Sequence, residues 1–325
     1  MLRTVYLLVI LFGCFFPTRH ATTLGQNTHP SLRCRDSSSV CRVNESVSDS
    51  AATWNRESCV PKWYEMITKI PGDWVEYSDK TFRAKNLPAI VGMSALTAGL
   101  ILTDRSTYWT EKKWYENSRT FREASDLLTF TGDGRFQFGI VGMFAAYGIA
   151  TGDSRALRTA SQITEAILAC GGVVQLLKHI TGRESPYVAT EPTGAWRFFP
   201  NQIDYAKHVP HYDAFPSGHI ATAMTTLIVI SENYPEVTWL RPAGYVALGA
   251  ISSSLVATGI HWWSDIPIGL ALGYAFGEIA SHPREIKLGD EGPGIGVKIT
   301  LSPAPLPKGG GLALYLRFRV GTDRR

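Results

Sequence analysis

The chain is short of charge. Asp, Glu, Lys and Arg make up 18% of its 325 residues, against about 25% in average soluble domains. That deficit points to much buried or membrane-facing surface. The net charge of +4 is too small to argue for a nucleic-acid partner. Strand signals are scarce before the tail, which leaves a mainly α fold, a helical bundle. Apolar runs of about 20 residues, the length of a membrane span, are also scarce. Only residues 242–260 approach it, and that run is rich in Gly, Ser and Ala. A soluble or membrane-associated bundle is expected, with an integral membrane protein as the rival. No internal repeat is present.

What is there begins with Arg3 and an apolar run over residues 5–12, which reads as a signal peptide or signal anchor over residues 1–21. Cys14 loosely resembles a lipoprotein box, but Phe12 is large for its place in one. An exported chain, periplasmic or membrane-associated, is expected. Export would put Cys34, Cys41, Cys59 and Cys170 in an oxidising compartment. Cys34 and Cys41 are close enough for a small loop, Cys170 reads as a buried thiol, and the connectivity stays open. Residues 22–60 form a polar leader rich in Ser, Thr, Asn and Arg, without apolar periodicity.

A helical domain is expected over residues 61–285. It opens with an aromatic stripe of Trp63, Met66, Ile67, Ile70 and Trp74, read as a helix laid on the core. Apolar segments at helical length follow at residues 87–102, 136–150, 156–178, 220–230, 242–260 and 266–280. In the tail, residues 286–325, two strands are expected at 297–301 and 312–320, joined by a Pro/Gly loop into a β-hairpin. A lone hairpin is marginal in water, so it would pack on the bundle, on another chain or on a membrane.

Three short stretches carry the chemistry. His261 has Asp265 four residues on, the spacing of one helix face. A carboxylate on one imidazole nitrogen fixes the tautomer and frees the other as nucleophile or base. Such pairs also merely cap helices. Pro216-Ser217-Gly218-His219 opens an apolar run. Ser217 is a natural N-cap, Gly218 permits close backbone approach, and helix N-terminal amides hold anions. His219 beside them can protonate a leaving oxygen. The plain alternative is a capped helix with an incidental histidine. Lys178 and Arg183 precede Pro186; they either hold phosphate or serve a helix C-terminus.

Together these stretches resemble the type 2 phosphatidic acid phosphatase (PAP2) superfamily, which includes bacterial acid phosphatases and vanadium haloperoxidases. The family pattern is Lys-x6-Arg-Pro, Pro-Ser-Gly-His, then Ser-Arg-x5-His-x3-Asp. This sequence keeps Lys178, Pro186, Pro216 to His219, Ser254, His261 and Asp265, in order and at the right spacing. The resemblance implies a metal-free phosphatase without a cofactor, acting on a phosphorylated lipid or a small phosphomonoester. It implies that His261 attacks phosphorus, Asp265 orients it and His219 protonates the leaving alcohol. Lys178, Ser217 and the Gly218 amide would hold the phosphate oxygens.

Two family arginines are absent: Ser185 and Leu255 stand in their places. Arg183, Arg197 and Lys207 are the cations near enough in sequence to compensate. The rival class is a degenerate homologue that binds an anionic headgroup or has a structural role. Metal binding through His208, His211, Asp213 and His219 is a further reading, weakened by Pro210 between the first two histidines. Haloperoxidase chemistry needs vanadate, which two missing arginines would hold poorly.

Overall fold

In the computed structural model the described residues are 40–41, 59–282, 296–306 and 309–319, with side chains described for 61–282. Eleven α-helices lie among them. These are α1 (Glu65–Thr68), α2 (Ile70–Thr81), α3 (Leu87–Ile101), α4 (Asp104–Asn117), α5 (Arg119–Gly132) and α6 (Gly134–Thr151). They continue with α7 (Ser154–Thr181), α8 (Gln202–Lys207), α9 (Gly218–Asn233), α10 (Leu240–Ala257) and α11 (Ile266–Ser281). The expected signal and most of the polar leader lie outside the described residues. Backbone strands run antiparallel at Gly296–Leu306 and Gly309–Arg319. Their side chains lie outside the described residues, and the hairpin tail stays an expectation.

Local chemistry sets the helix ends. Asp133 caps α6, accepting from the Arg135 amide at 2.7 Å. Asp153 caps α7 by accepting from the Arg155 and Ala156 amides at 2.8 and 3.1 Å. Pro71, Pro88 and Pro267 sit in the first turns of α2, α3 and α11, where a missing N–H costs nothing. Gly182 ends α7 at φ 52°, and a Cβ there would lie 2.2 Å from the Arg197 carbonyl oxygen. Only glycine fits that left-handed turn under a crossing backbone.

Helix α9 sits at the centre, packed against α7, α10 and α11. Ala169, Cys170, Val174, Ala221, Leu272 and Phe276 form one buried cluster there. A second joins Ile163, Ala166, Ile167, Val229 and Ala280. Close approach of α11 to α9 needs glycine: a Cβ on Gly273 would lie 2.3 Å from the Ala221 carbonyl oxygen. Cys170 is a buried free thiol.

Three elements depart from the sequence reading. Helices α4 and α5 carry no long apolar run, so hydropathy alone passed over them. The aromatic stripe splits into α1 and α2: Trp74 Nε1 donates to the Ala169 carbonyl at 2.9 Å and Tyr77 stacks on Phe276, while Trp63 and Ile67 are exposed. Among the described residues, the stretches long and apolar enough to cross a membrane are Ala84–Ile101 and Ser154–Thr181, not residues 242–260. A short 3-10 turn at Ala84–Asn86 extends the first, and α7 runs unbroken through its polar positions. Along α3 only Thr97 is buried.

Candidate active site

Backbone hydrogen bonds tie the three motifs together. Lys178 lies in the last turn of α7. One residue past Gly182, Arg183 runs beside the loop leading to Pro216: the Ala214 amide donates to the Arg183 carbonyl at 3.0 Å. Thr181 Oγ1 donates to the Phe215 carbonyl at 3.0 Å. The Phe215–Pro216 bond is cis. The Ser217 amide then donates to the Asp265 carbonyl at 3.0 Å, and Trp262 Nε1 donates to the Glu184 carbonyl at 2.8 Å. Residues far apart in sequence thereby meet at the N-terminus of α9.

The two histidines meet there: His219 Nδ1 lies 3.3 Å from His261 Nε2. His261 is almost fully buried, and its Nδ1 lies 2.8 Å from the Ala214 carbonyl oxygen. A carbonyl only accepts, so Nδ1 carries the proton and Nε2 keeps its lone pair. His219 Nδ1–H therefore donates to His261 Nε2. A phosphoryl group reaches that nitrogen only once this contact opens.

His219 also lines a cavity of about 260 Å³ with Lys178, Gly218, Asp133, Gly134 and Thr222. Burial pushes the His219 pKa down, and the neighbouring His261 ring and Lys178 ammonium push further, to about 3; Arg135 adds to the fall and Asp133 opposes it. Lys178 is buried, with Nζ 3.3 Å from Asp213 Oδ2.

The remaining expected residues fall as follows. Ser217 is fully buried; its hydroxyl accepts from the Ile220 amide at 3.4 Å, and it caps α9. His261 and Asp265 do not share a helix face. Helix α10 ends at Ala257, His261 lies in the loop after it, and Asp265 closes a 3-10 turn. The loop returns onto the end of α10, where the Leu255 carbonyl accepts from the Ile260 and His261 amides. Asp265 Oδ2 stands 3.6 Å from His261 Nδ1, farther than Ala214, and accepts instead from the Trp262 amide at 2.7 Å.

Arg183 is a correction. It is fully buried away from the cavity, and its guanidinium is bound to Asp104, Asp265, Ser264 and the Thr193 carbonyl. Arg197 is likewise taken up, 2.7 Å from Glu184. Ser185 and Leu255 are themselves buried. The cation whose field reaches His219 besides Lys178 is Arg135, at the start of α6 and bonded to Asp133. Sequence reasoning missed Asp133 and Arg135 because their only signal is a helix N-cap. His208, His211, Asp213 and His219 do not gather. His211 pairs with Glu184 and Asp213 with Lys178, and no three His, Cys, Asp or Glu side chains among the described residues are placed to hold a metal.

The fold is a helical bundle, and two imidazoles meet at the start of its central helix beside a cavity lined by His219 and Lys178. Residues 160–284 match the family model of the PAP2 superfamily. The match covers less than half of the chain, and a phosphatase-type function is what it supports. A solved structure similar to this chain is the transmembrane PAP2-type phosphatidylglycerolphosphate phosphatase from Bacillus subtilis. The two are 13% identical with a TM-score of 0.37, over 67% of this chain and 94% of that one. No curated protein matches the chain.

Proposed function

We propose that the chain is a phosphatase that removes phosphate from a lipid phosphate ester through a phosphohistidine on His261. The observation that carries this reading is the 3.3 Å approach of His219 Nδ1 to His261 Nε2, beside a cavity lined by Lys178 and Gly218.

Phosphate enters between the two rings. Lys178 and the first amides of α9 hold its oxygens. Its negative charge favours the imidazolium form of His219, which takes up a proton on binding. The His261 Nε2 lone pair attacks phosphorus, the bond to the ester oxygen breaks, and His219 delivers its proton to that oxygen. Water then attacks the phosphohistidine, losing a proton to His219 and freeing His261 and phosphate. No step calls on a metal.

A lipid substrate follows from the exposed apolar faces. Leu87, Val91 and Leu96 of α3 and Phe138, Met143, Tyr147 and Ile149 of α6 all face outward. Patches of this size mark a membrane or partner surface, and α6 begins at the cavity. We place the domain at a bilayer, exported by the apolar run at residues 5–12.

A second reading, a headgroup-binding homologue with little turnover, is favoured by Ser185 and Leu255 at the family's arginine positions. The test is phosphate release from phosphatidic acid, phosphatidylglycerol phosphate, an isoprenyl diphosphate and p-nitrophenyl phosphate, with and without EDTA. Release that resists EDTA and vanishes in His261→Ala is expected. A folded chain that releases nothing selects the second reading.

A further inference from the structure

Behind the His261 turn lies a set of buried charges that the catalytic steps above leave unused. Arg183, Asp104, Ser264 and Asp265 are all fully buried. Arg183 Nη1 donates to Asp265 Oδ1 at 2.5 Å and to Ser264 Oγ at 2.6 Å. Its Nη2 donates to Asp104 Oδ2 at 2.8 Å. Ser264 Oγ donates in turn to Asp104 Oδ2 at 2.5 Å, and the Ser264 amide to Asp104 Oδ1 at 3.1 Å. Asp104 is the first residue of α4 and lies outside residues 160–284.

We infer that Asp104 and Arg183 are positioning residues for His261, acting through Ser264 and Asp265 to fix the turn that aims its Nε2. This rests on the reading of His261 as the nucleophile. The turn has little regular structure of its own: His261 and Trp262 lie in a loop, followed by a single 3-10 turn. The clamp supplies what a helix would otherwise supply. It holds both oxygens of Asp265, one on Arg183 and one on the Trp262 amide, so the carboxylate cannot draw His261 Nδ1 away from the Ala214 carbonyl.

The charge count has a consequence as well. Attack through Nε2 leaves the ring cationic, with hydrogen on Nδ1 and phosphorus on Nε2. Burial raises the Asp104 pKa against the pull of Arg183; with Asp104 ionised, one arginine between two carboxylates leaves a net negative charge behind that ring, which favours the cation as it forms. Arginine bound to Asp265 alone would cancel it. For stability alone such a set is a poor investment, since buried ion pairs often do no better than apolar packing.

The test uses the full chain with Asp104→Asn, Ser264→Ala, Asp265→Asn and the Asp104→Asn/Asp265→Asn double variant. Ser264→Ala keeps every charge, and so serves if Asp104→Asn does not fold. In turnover, Asp104→Asn is expected to lower kcat by about 10- to 100-fold, the cost of a misplaced reacting group, with KM nearly unchanged. The double variant should lose little more than Asp265→Asn alone. Wild-type kcat in either folded single variant, or effects of Asp104→Asn and Asp265→Asn that multiply, would overturn the inference.

Nitrogen-15 NMR of His261 without substrate separates this inference from the phosphatase reading. The wild-type ring should show protonated Nδ1 and bare Nε2, and Asp104→Asn or Ser264→Ala should blur that pattern toward a mixture. If the wild-type chain releases no phosphate yet the pattern shifts in the variants, the clamp stands and the phosphatase reading falls. An unchanged pattern in both folded variants overturns the clamp, whatever the turnover.

Discussion

Leu255 and Ser185 occupy positions where the family pattern has arginine, and the structure says what restoring them would do. Leu255 is fully buried near the end of α10, and its carbonyl anchors the His261 loop. Arginine there places an unpaired charge in the core, which costs several kcal/mol. Leu255→Arg is expected to lower the urea midpoint sharply or abolish soluble folded protein, and to raise no activity. A folded variant with higher turnover would show that the loop can open to carry the arginine into the cavity.

His219 makes a pH prediction at the same scale. Its folded pKa is about 3, below the ordinary 6.5, chiefly through burial. Between those values the unfolded chain binds a proton that the folded chain does not. Stability therefore falls as pH drops from about 6.5 toward about 3, and His219 adds no slope above 6.5. His219→Asn should flatten that part of a plot of urea midpoint against pH. An equal slope in the variant would assign the acid sensitivity to other groups.

Among the helices, α11 comes close to the backbone of α9. Gly273 faces the Ala221 carbonyl, and Gly269 faces the Ser217 carbonyl at 2.6 Å from a built Cβ. The second contact sets the height of the Pro-Ser-Gly-His turn directly. Gly273→Ala should cost about 1–3 kcal/mol by overpacking, lowering the melting temperature by several degrees. Its effect on kcat should be smaller than that of Gly269→Ala, which pushes on the active-site turn itself. Equal stability in Gly273→Ala would mean that α11 shifts without cost.

Taken whole, the domain leaves apolar helix faces uncovered. Helix α3 has one buried residue, Thr97, and a continuous apolar sequence. In water such a face drives association; in a bilayer it is ordinary. Lysine at the middle of a membrane helix costs about 2.5–3.5 kcal/mol. Val91→Lys combined with Leu96→Lys is therefore expected to move the chain from the membrane fraction to the soluble or aggregated fraction. Retention of both lysines in the carbonate-washed membrane fraction would remove α3 from the bilayer.

The sequence by itself determined the helical class and singled out the residues proposed here as the reacting groups. The spacings around Lys178, His219, His261 and Asp265 were legible because they match the family's motif pattern. The caps of α6 and α7 were equally local, being set within three residues of each helix start. Tertiary structure alone decided three things. It sent Arg183 inward, because two carboxylates from α4 and the His261 turn were waiting there and cavity water was not. It put His261 in a loop rather than on a helix face, so that Ala214 and not Asp265 stands nearer its Nδ1. It also brought Asp133, with Arg135 bonded to it, to the cavity's edge from a helix start with no motif. In each case the partner lies tens of residues away, and no local pattern records which distant carboxylate, carbonyl or cation will arrive when the helices pack.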